Sequence, residues 1–448
     1  MRKLYTLFPI CLFLFILNLG SVLIAQDSDT VVFENVQFFN GYSSELQSAS
    51  FVVVEGNIIR EISNSDLRST YSNATRINAE GFTLMPGLID THVHITFGSL
   101  SMAELMNPDL TLESVAEKIA NQAHRMLLRG FTSVRDAGGP IFEFKAAVDA
   151  GLFPAPRIWP SGATISQTAG HGDFRLPSER SRRFFGEPSR AELLGATFIA
   201  DGRDEVLTAV RENLRFGASQ IKLMAGGGTS SAYDPVDVTQ YTFDEMLAAV
   251  EAAEDWGTYV MVHAYTPRAI RRAIEAGVKV IEHGQIIDEE TLQLMVEKDV
   301  WLSTQVLRSS TPDMDPLRVA KRKPVIEGQA KMWPMAKEFG VKLAWGTDFL
   351  FEPDLNDEQN SYILPLLEWF TPAEALKMVT HDNAQLLALS GLRSPYQGRL
   401  GVVEEGALAD LILVNGNPLE NIELIANPED NFLIIMKDGK IYKNLLNE

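Results

Sequence analysis

Met85-Pro86-Gly87-Leu88-Ile89-Asp90-Thr91-His92-Val93-His94 joins an apolar run to two imidazoles two positions apart. Extended backbone sends alternate side chains to opposite faces, so His92 and His94 share one face and Val93 takes the other. Two neutral imidazoles on one face can chelate a metal ion; the alternative is a buried, hydrogen-bonded pair. Seven further short apolar runs follow, at 131–136, 156–162, 220–225, 259–265, 278–284, 300–306 and 341–349. Stretches with apolar residues at three- and four-residue steps separate several of them and predict helices at 205–216, 243–256, 267–276, 288–298 and 327–339.

Eight strand-helix units over about 260 residues predict an α/β fold of the (β/α)8, TIM-barrel type, whose typical size is roughly 250 residues. A doubly wound sheet is the alternative. It is disfavoured because no Gly-rich dinucleotide turn follows the first strand and because the chemical residues are spread over many strand ends. The chain ends have a different texture. Short β-branched and aromatic runs at 31–39, 51–54, 57–62, 409–414 and 432–436, with the turn Lys437-Asp438-Gly439-Lys440, predict antiparallel strands. An insertion at 161–203 carries His171, Asp173, Arg180, Arg182 and Arg183 and has the length of a functional lid.

The chain has 448 residues, 46% hydrophobic and 22% charged, which excludes a disordered or fibrous protein. With 39 Lys and Arg against 59 Asp and Glu, the formal charge of -20 argues against a nucleic-acid partner. Arg2 and Lys3 precede an uncharged run from Leu4 to Ala25, the pattern of a secretory signal peptide at 1–25 cleaved after Ala25. A retained membrane anchor is the alternative; in both cases residues from 26 onward lie outside the cytoplasm, periplasmic or secreted. Cleavage leaves 423 residues at a charge of -22, and the one cysteine, Cys11, departs with the leader.

The ends of the predicted strands hold most of the chemistry. His263 ends the fifth strand, His283 the sixth and Asp348 the eighth, while Lys222 sits within the fourth among apolar neighbours. All would reach the catalytic face of a barrel. Burial lowers a lysine's pKa, and the neutral amine can react with carbon dioxide to form a carbamate able to bridge two cations. The alternative is a simple buried neutral amine.

These motifs resemble those of the amidohydrolase superfamily, in its binuclear carboxylated-lysine subtype and its prolidase-like, imidazolonepropionase-like branch of Xaa-Pro and Xaa-Arg dipeptidases. The resemblance spans nearly the whole mature chain. It rests on the segment from Met85 to His94 and on Gly130-Phe131-Thr132-Ser133-Val134-Arg135-Asp136, Ile221-Lys222-Leu223, Val262-His263-Ala264-Tyr265, Ile281-Glu282-His283-Gly284 and Gly346-Thr347-Asp348, with Gly401 to Leu411 resembling the carboxy-terminal signature. It implies a barrel at 85–390 beside a small composite β-sandwich built from 26–84 and 391–448. It implies two divalent ions, zinc first: His92, His94, Lys222 and Asp348 would hold the more buried one, and the Lys222 carbamate, His263 and His283 the more exposed one.

Two metals roughly 3.5–4 Å apart would share a hydroxide nucleophile, with Asp348 moving the proton to the leaving amine. Tyr265 would bind the oxyanion or a substrate carboxylate, or else pack the barrel mouth. His171 resembles the branch's third-strand loop histidine near the carbonyl or carboxylate; the alternative is a surface-loop histidine. The expected substrate is a small-molecule amide: a dipeptide or N-acyl amino acid that releases its carboxy-terminal amino acid, ochratoxin-like amides included. Cyclic-amide hydrolysis of the imidazolonepropionase type is the enzymatic alternative, a metal-free scaffold is the non-enzymatic one, and a homo-oligomer is possible.

The remaining candidates have plainer expectations. Arg135 and Asp136 are expected to pair, Glu282 to alternate away from His283 as a structural residue, and Gly226-Gly227-Gly228 to admit a ligand or make a turn. His124 and His381 are expected to be non-catalytic, and Arg180 to Arg183 to be solvated surface.

Overall fold

The computed structural model describes residues 30–311 and 314–446. The leader at 1–25 and its cleavage point lie outside the described residues. Among those described, no helix is long and apolar enough to cross a membrane.

In chain order the strands are β1 (Thr30–Phe38), β2 (Gln47–Glu55), β3 (Ile58–Ser63), β4 (Thr75–Asn78) and β5 (Thr83–Pro86). Then come β6 (Leu88–Val93), β7 (Phe131–Asp136), β8 (Arg157–Pro160), β9 (Thr164–Ser166) and β10 (Thr197–Ile199). β11 (Ile221–Met224), β12 (Val260–Ala264), β13 (Val280–His283), β14 (Trp301–Thr304) and β15 (Leu343–Trp345) follow, and β16 (Leu411–Val414), β17 (Phe432–Lys437) and β18 (Lys440–Asn444) finish the chain.

Strands from both ends share one sheet, in the order β18-β17-β16-β5-β1-β2-β3 with β4 beside β1. Its apolar faces meet in a cluster that takes Val31, Phe33, Val52 and Leu84 from the first end and Leu411, Leu413, Ile434 and Met436 from the last. The β17-β18 hairpin turns through Asp438 and Gly439, with φ of 56° and 72°, as the Asp-Gly dipeptide dictates.

The central strands are parallel: β6-β7-β8 in one sheet and β10-β9-β11-β12-β13-β14-β15 in another. Hydrogen bonds cross both gaps between them, from the Asp348 amide to the His92 carbonyl (2.8 Å) and from the Ser219 amide to the Pro160 carbonyl (2.8 Å). Helices Phe243–Asp255, Pro267–Glu275 and Glu289–Glu297 follow β11, β12 and β13.

Three expectations are corrected. The predicted first barrel strand is two strands: Pro86 pairs with Leu411 in the terminal sheet, and the chain crosses over at Gly87, where a Cβ would lie 2.2 Å from Thr132 Oγ1. The insertion contributes β9, which joins β11 through Ile165 and Leu223, rather than standing apart as a loop. The last of the predicted helices begins earlier, as Pro316–Phe339, because Asp315 caps it and Pro316 takes its first turn despite Pro324 inside.

Candidate metal centre

His92 and His94 stand together at the end of β6, and Asp348 lies three residues past β15. Nε2 of His92 and Nε2 of His94 are each 3.3 Å from Asp348 Oδ1. These three ligand atoms lie within 4.8 Å of one another. The far nitrogens are engaged: Nδ1 of His92 donates to Glu282 at 2.7 Å, and Nδ1 of His94 donates to the Gly138 carbonyl at 2.8 Å. Each acceptor fixes the tautomer whose Nε2 lone pair faces the shared centre.

The other expected residues adjoin this trio. Lys222 Nζ lies 3.4 Å from His92 Nε2. His283 places Nδ1 2.8 Å from Gln305 Oε1 and 3.8 Å from Asp348 Oδ2. His263 donates from Nε2 to the Gly227 carbonyl at 3.1 Å, and its ring centroid is 4.3 Å from that of His283. His283 and Asp348 both hold left-handed backbone, at φ 78° and 56°. A non-glycine residue in that region costs roughly 1–3 kcal/mol and persists where the surroundings enforce it, often at functional sites.

Electrostatics favour ligand forms. Burial drives His283 down to about 3 and Lys222 down to about 8. Burial, then His171 and His283, hold His263 well below the usual imidazole value. Burial opposes ionisation of Asp348, but His92, His94 and His283 together keep its carboxyl well below the usual range. Its side chain is 23% exposed where that of His92 is 1% exposed, so the carboxylate retains access to the site mouth. His92 is the exception: burial and Lys222 lower its pKa, but Asp348 and Glu282 raise it overall. Imidazoles, a carboxylate and a lysine of lowered pKa are still a donor set that suits divalent cations.

Two expectations about supporting residues change. Glu282 does not turn away: it bridges His92 and the fully buried Arg135, whose Nη2 lies 2.5 Å from Glu282 Oε1. Simple alternation fails because the strand ends at His283 in left-handed backbone. Arg135 also donates to the Thr91 carbonyl (2.6 Å) and the Tyr259 hydroxyl (3.1 Å), so it does not pair with Asp136. Asp136 points the other way and accepts from the Ile95 and Gly138 amides.

His171 is buried, and its ring stacks on His263 with centroids 3.9 Å apart. Its Nδ1 lies 2.9 Å from Ser231 Oγ and 3.6 Å from Asp234 Oδ2. Gly228 permits this, since a Cβ there would lie 1.9 Å from His171 Cε1. Tyr265 sets its ring edge-on to His263 at 5.0 Å, and burial pushes its phenol up, so it stays a proton donor. His124 and His381 lie elsewhere, bonded to the Pro154 carbonyl and to Asp382. Arg182 and Arg183 pair with Glu192 and Glu205. Gln305, just past β14, went unmarked in the sequence because an uncharged amide in an apolar run carries no chemical signal.

Comparison with known proteins follows the same outline. Residues 83–442 match the family described as "Amidohydrolase family". Ochratoxinase of Aspergillus niger is 32% identical over 418 residues, covering 90% of this chain and 84% of the relative. The crystal structure of a prolidase complexed with N-methylphosphonate-L-proline matches with TM-score 0.83 and 35% identity, over 93% of this chain and 100% of that one. A Xaa-Pro dipeptidase with methionine bound in its active site matches with TM-score 0.79 and 30% identity, over 93% and 100%.

Proposed function

Because the chain belongs to the amidohydrolase family, among prolidase-like hydrolases of carbon–nitrogen bonds, we propose that it cleaves amides of amino acids, releasing the carboxy-terminal residue of dipeptides or N-acyl amino acids. The observation that carries the reading is the convergence of His92 Nε2, His94 Nε2 and Asp348 Oδ1 beside Lys222, His263 and His283.

In this reading His92, His94, Lys222 and Asp348 hold one divalent ion, zinc, and a carbamate on Lys222 with His263 and His283 holds a second. When bound, such ions supply a water of lowered pKa and a Lewis acid for the scissile carbonyl. Asp348 accepts the proton of the attacking water at its carboxylate and returns it to the leaving nitrogen. Tyr265 donates a hydrogen bond from its phenol to the developing oxyanion or to a substrate carboxylate and keeps its proton. His171, stacked on His263, faces the substrate carbonyl or carboxylate, and Glu282 keeps His92 in its ligating tautomer.

The two parallel sheets are read as one closed (β/α)8 barrel spanning 85–390, supported by the hydrogen bonds that bridge both gaps. Residues 26–84 and 391–448 are read as one composite β-sandwich, supported by their shared sheet and core. The leader at 1–25 is read as a signal peptide that exports the enzyme.

A screen of the zinc- and bicarbonate-loaded protein tests the activity, with Xaa-Pro, Xaa-Arg and hydrophobic dipeptides beside N-acyl amino acids and lactams. Release of free amino acid from the linear amides is expected. Activity confined to lactams would overturn the reading. Amino-terminal sequencing of the exported protein, expected to begin at Gln26, tests the leader.

A further inference from the structure

The helix Pro316–Phe339 is tied to the loops that leave β13 and β14. Gln329 exchanges hydrogen bonds with both backbone groups of Leu307, at 2.8 and 2.7 Å. Gly328 abuts the Gln285 carbonyl, where a Cβ would sit 2.2 Å away. Lys321 reaches across to the Ser231 carbonyl at 2.7 Å, and Ser231 is the partner of His171. The helix thereby joins the loop of Ser231, the partner of His171, to the segment just after His283.

Arg322 is the next residue, and it stands out among its neighbours. Arg308 pairs with Glu358, and Arg318 pairs with Glu352 at 2.8 Å. Arg322 donates from Nη2 to the Arg308 carbonyl at 2.9 Å, but its buried Nε has no partner, and among the described residues it forms no ion pair. It lies within coulombic reach of Tyr265, whose phenol burial keeps protonated and whose ring meets His263 edge-on. Burial and then Arg318 lower its pKa, Glu352 acts on it only from a distance, and no carboxylate among the described residues forms an ion pair with this half-buried guanidinium. A guanidinium fork matches a carboxylate in shape and charge.

We infer that Arg322 is a specificity-determining residue that binds the carboxylate of the leaving amino acid, so that substrates are amides of free amino acids and not of their carboxamides. The inference rests on the amino-acid-releasing reading above and adds the residue that enforces it. Lys321, engaged by Ser231, positions the helix and leaves Arg322 as the anion's partner.

The test compares N-acetyl-L-proline and N-acetyl-L-phenylalanine with their primary carboxamides as substrates of the zinc-loaded full chain. Wild type should prefer the acids. In Arg322→Met, kcat/KM for the acids should fall about 10- to 100-fold, mainly through KM, and the acid-to-carboxamide ratio should collapse toward one. Arg322→Lys should recover part of the ratio, and Arg322→Gln is judged by the same ratio if the Met variant does not fold.

Calorimetric titration with free L-proline and L-phenylalanine separates the two claims: wild type should bind them and Arg322→Met should not. If no linear amide is cleaved, the proposed function fails, and the titration alone decides Arg322. Unchanged ratios in the variants, no acid preference in wild type, or equal or absent binding by both proteins would overturn the inference.

Discussion

Glu282 accepts the Nδ1 proton of His92 at 2.7 Å, and its other oxygen meets the buried Arg135 at 2.5 Å. Burial opposes the charge on Glu282, but Arg135 and then His92 hold its carboxyl well below the usual range. One carboxylate therefore neutralises a buried guanidinium and orients the His92 imidazole. Glu282→Gln should weaken metal binding about 10- to 100-fold. It should also destabilise the fold by roughly 3–5 kcal/mol, the scale for breaking a buried pair. Chelator competition and denaturant titration measure the two effects; wild-type metal affinity in this variant would show that Glu282 serves the fold alone.

Asp348 is both close to two imidazoles and accessible from the mouth, which suits a group that must accept and return a proton. Asp348→Asn should lower kcat by at least about 10²- to 10⁴-fold, the span of general acid–base catalysis, while circular dichroism stays unchanged. Metal content is measured alongside, because the substitution also removes a ligand charge. A near wild-type rate at full metal loading would remove Asp348 from the proton path.

Lys222 is buried at the centre of the cluster, and its pKa is lowered to about 8. If it becomes a carbamate, protein stripped by chelator should regain activity faster when zinc is supplied with bicarbonate than with zinc in carbon-dioxide-free buffer. Lys222→Ala should bind less than two metals per chain and show no dependence on bicarbonate. Equal recovery of wild type under both conditions would leave the lysine as a plain amine.

The cluster was legible because its candidate ligands stand at the ends of apolar runs that become parallel strands, where a period of two puts His92 and His94 on one face. His263, within β12, shows this pattern, whereas His283 and Asp348 stand at or past a strand end in left-handed backbone. Glu282 was misread because alternation holds only within regular strand, and His283 departs from it at φ 78°. Arg135 was assigned to its sequence neighbour although adjacent strand residues face opposite ways. Gly87 hid a boundary between two sheets, since a continuous apolar run does not reveal which neighbour each residue will pair with. Pro324 hid the start of the helix at Pro316, whose cap and packing outweigh an internal proline.

Arg157 on β8 joins the parallel strands to the terminal sheet, 3.1 Å from Asp410 and 2.8 Å from Asp438. Burial raises the Asp438 carboxyl but Arg157 overrides it, so its folded pKa lies below its ordinary value. The folded state then binds fewer protons than the unfolded one. The stabilisation is complete above roughly pH 4, the unfolded value, and is lost as pH falls through the lower folded value. Asp438→Asn should melt roughly 1–2 °C below wild type at pH 7, with the gap closing in acid below pH 4. A gap that persists unchanged at pH 3 would deny the ion pair this role.

Gly228 gives the sharpest test of His171, because it faces the ring with no side chain of its own, although both bond Ser231 and approach Asp234. A methyl group at Gly228 would lie 1.9 Å from His171 Cε1 and 2.0 Å from Nδ1, so in Gly228→Ala the ring must leave its stack on His263. No metal ligand is removed, and metal content should stay near wild type while kcat/KM falls about 10- to 100-fold, the scale on which small misplacements of active-site groups act. His171→Ala should lose a similar amount. If glycine acts only by making room for the ring, the double variant should be no worse than His171→Ala, since the second substitution then has nothing left to displace. Additive losses would mean that Gly228 serves the loop carrying Asp234 independently, and an active Gly228→Ala would mean that His171 does not need its place beside His263.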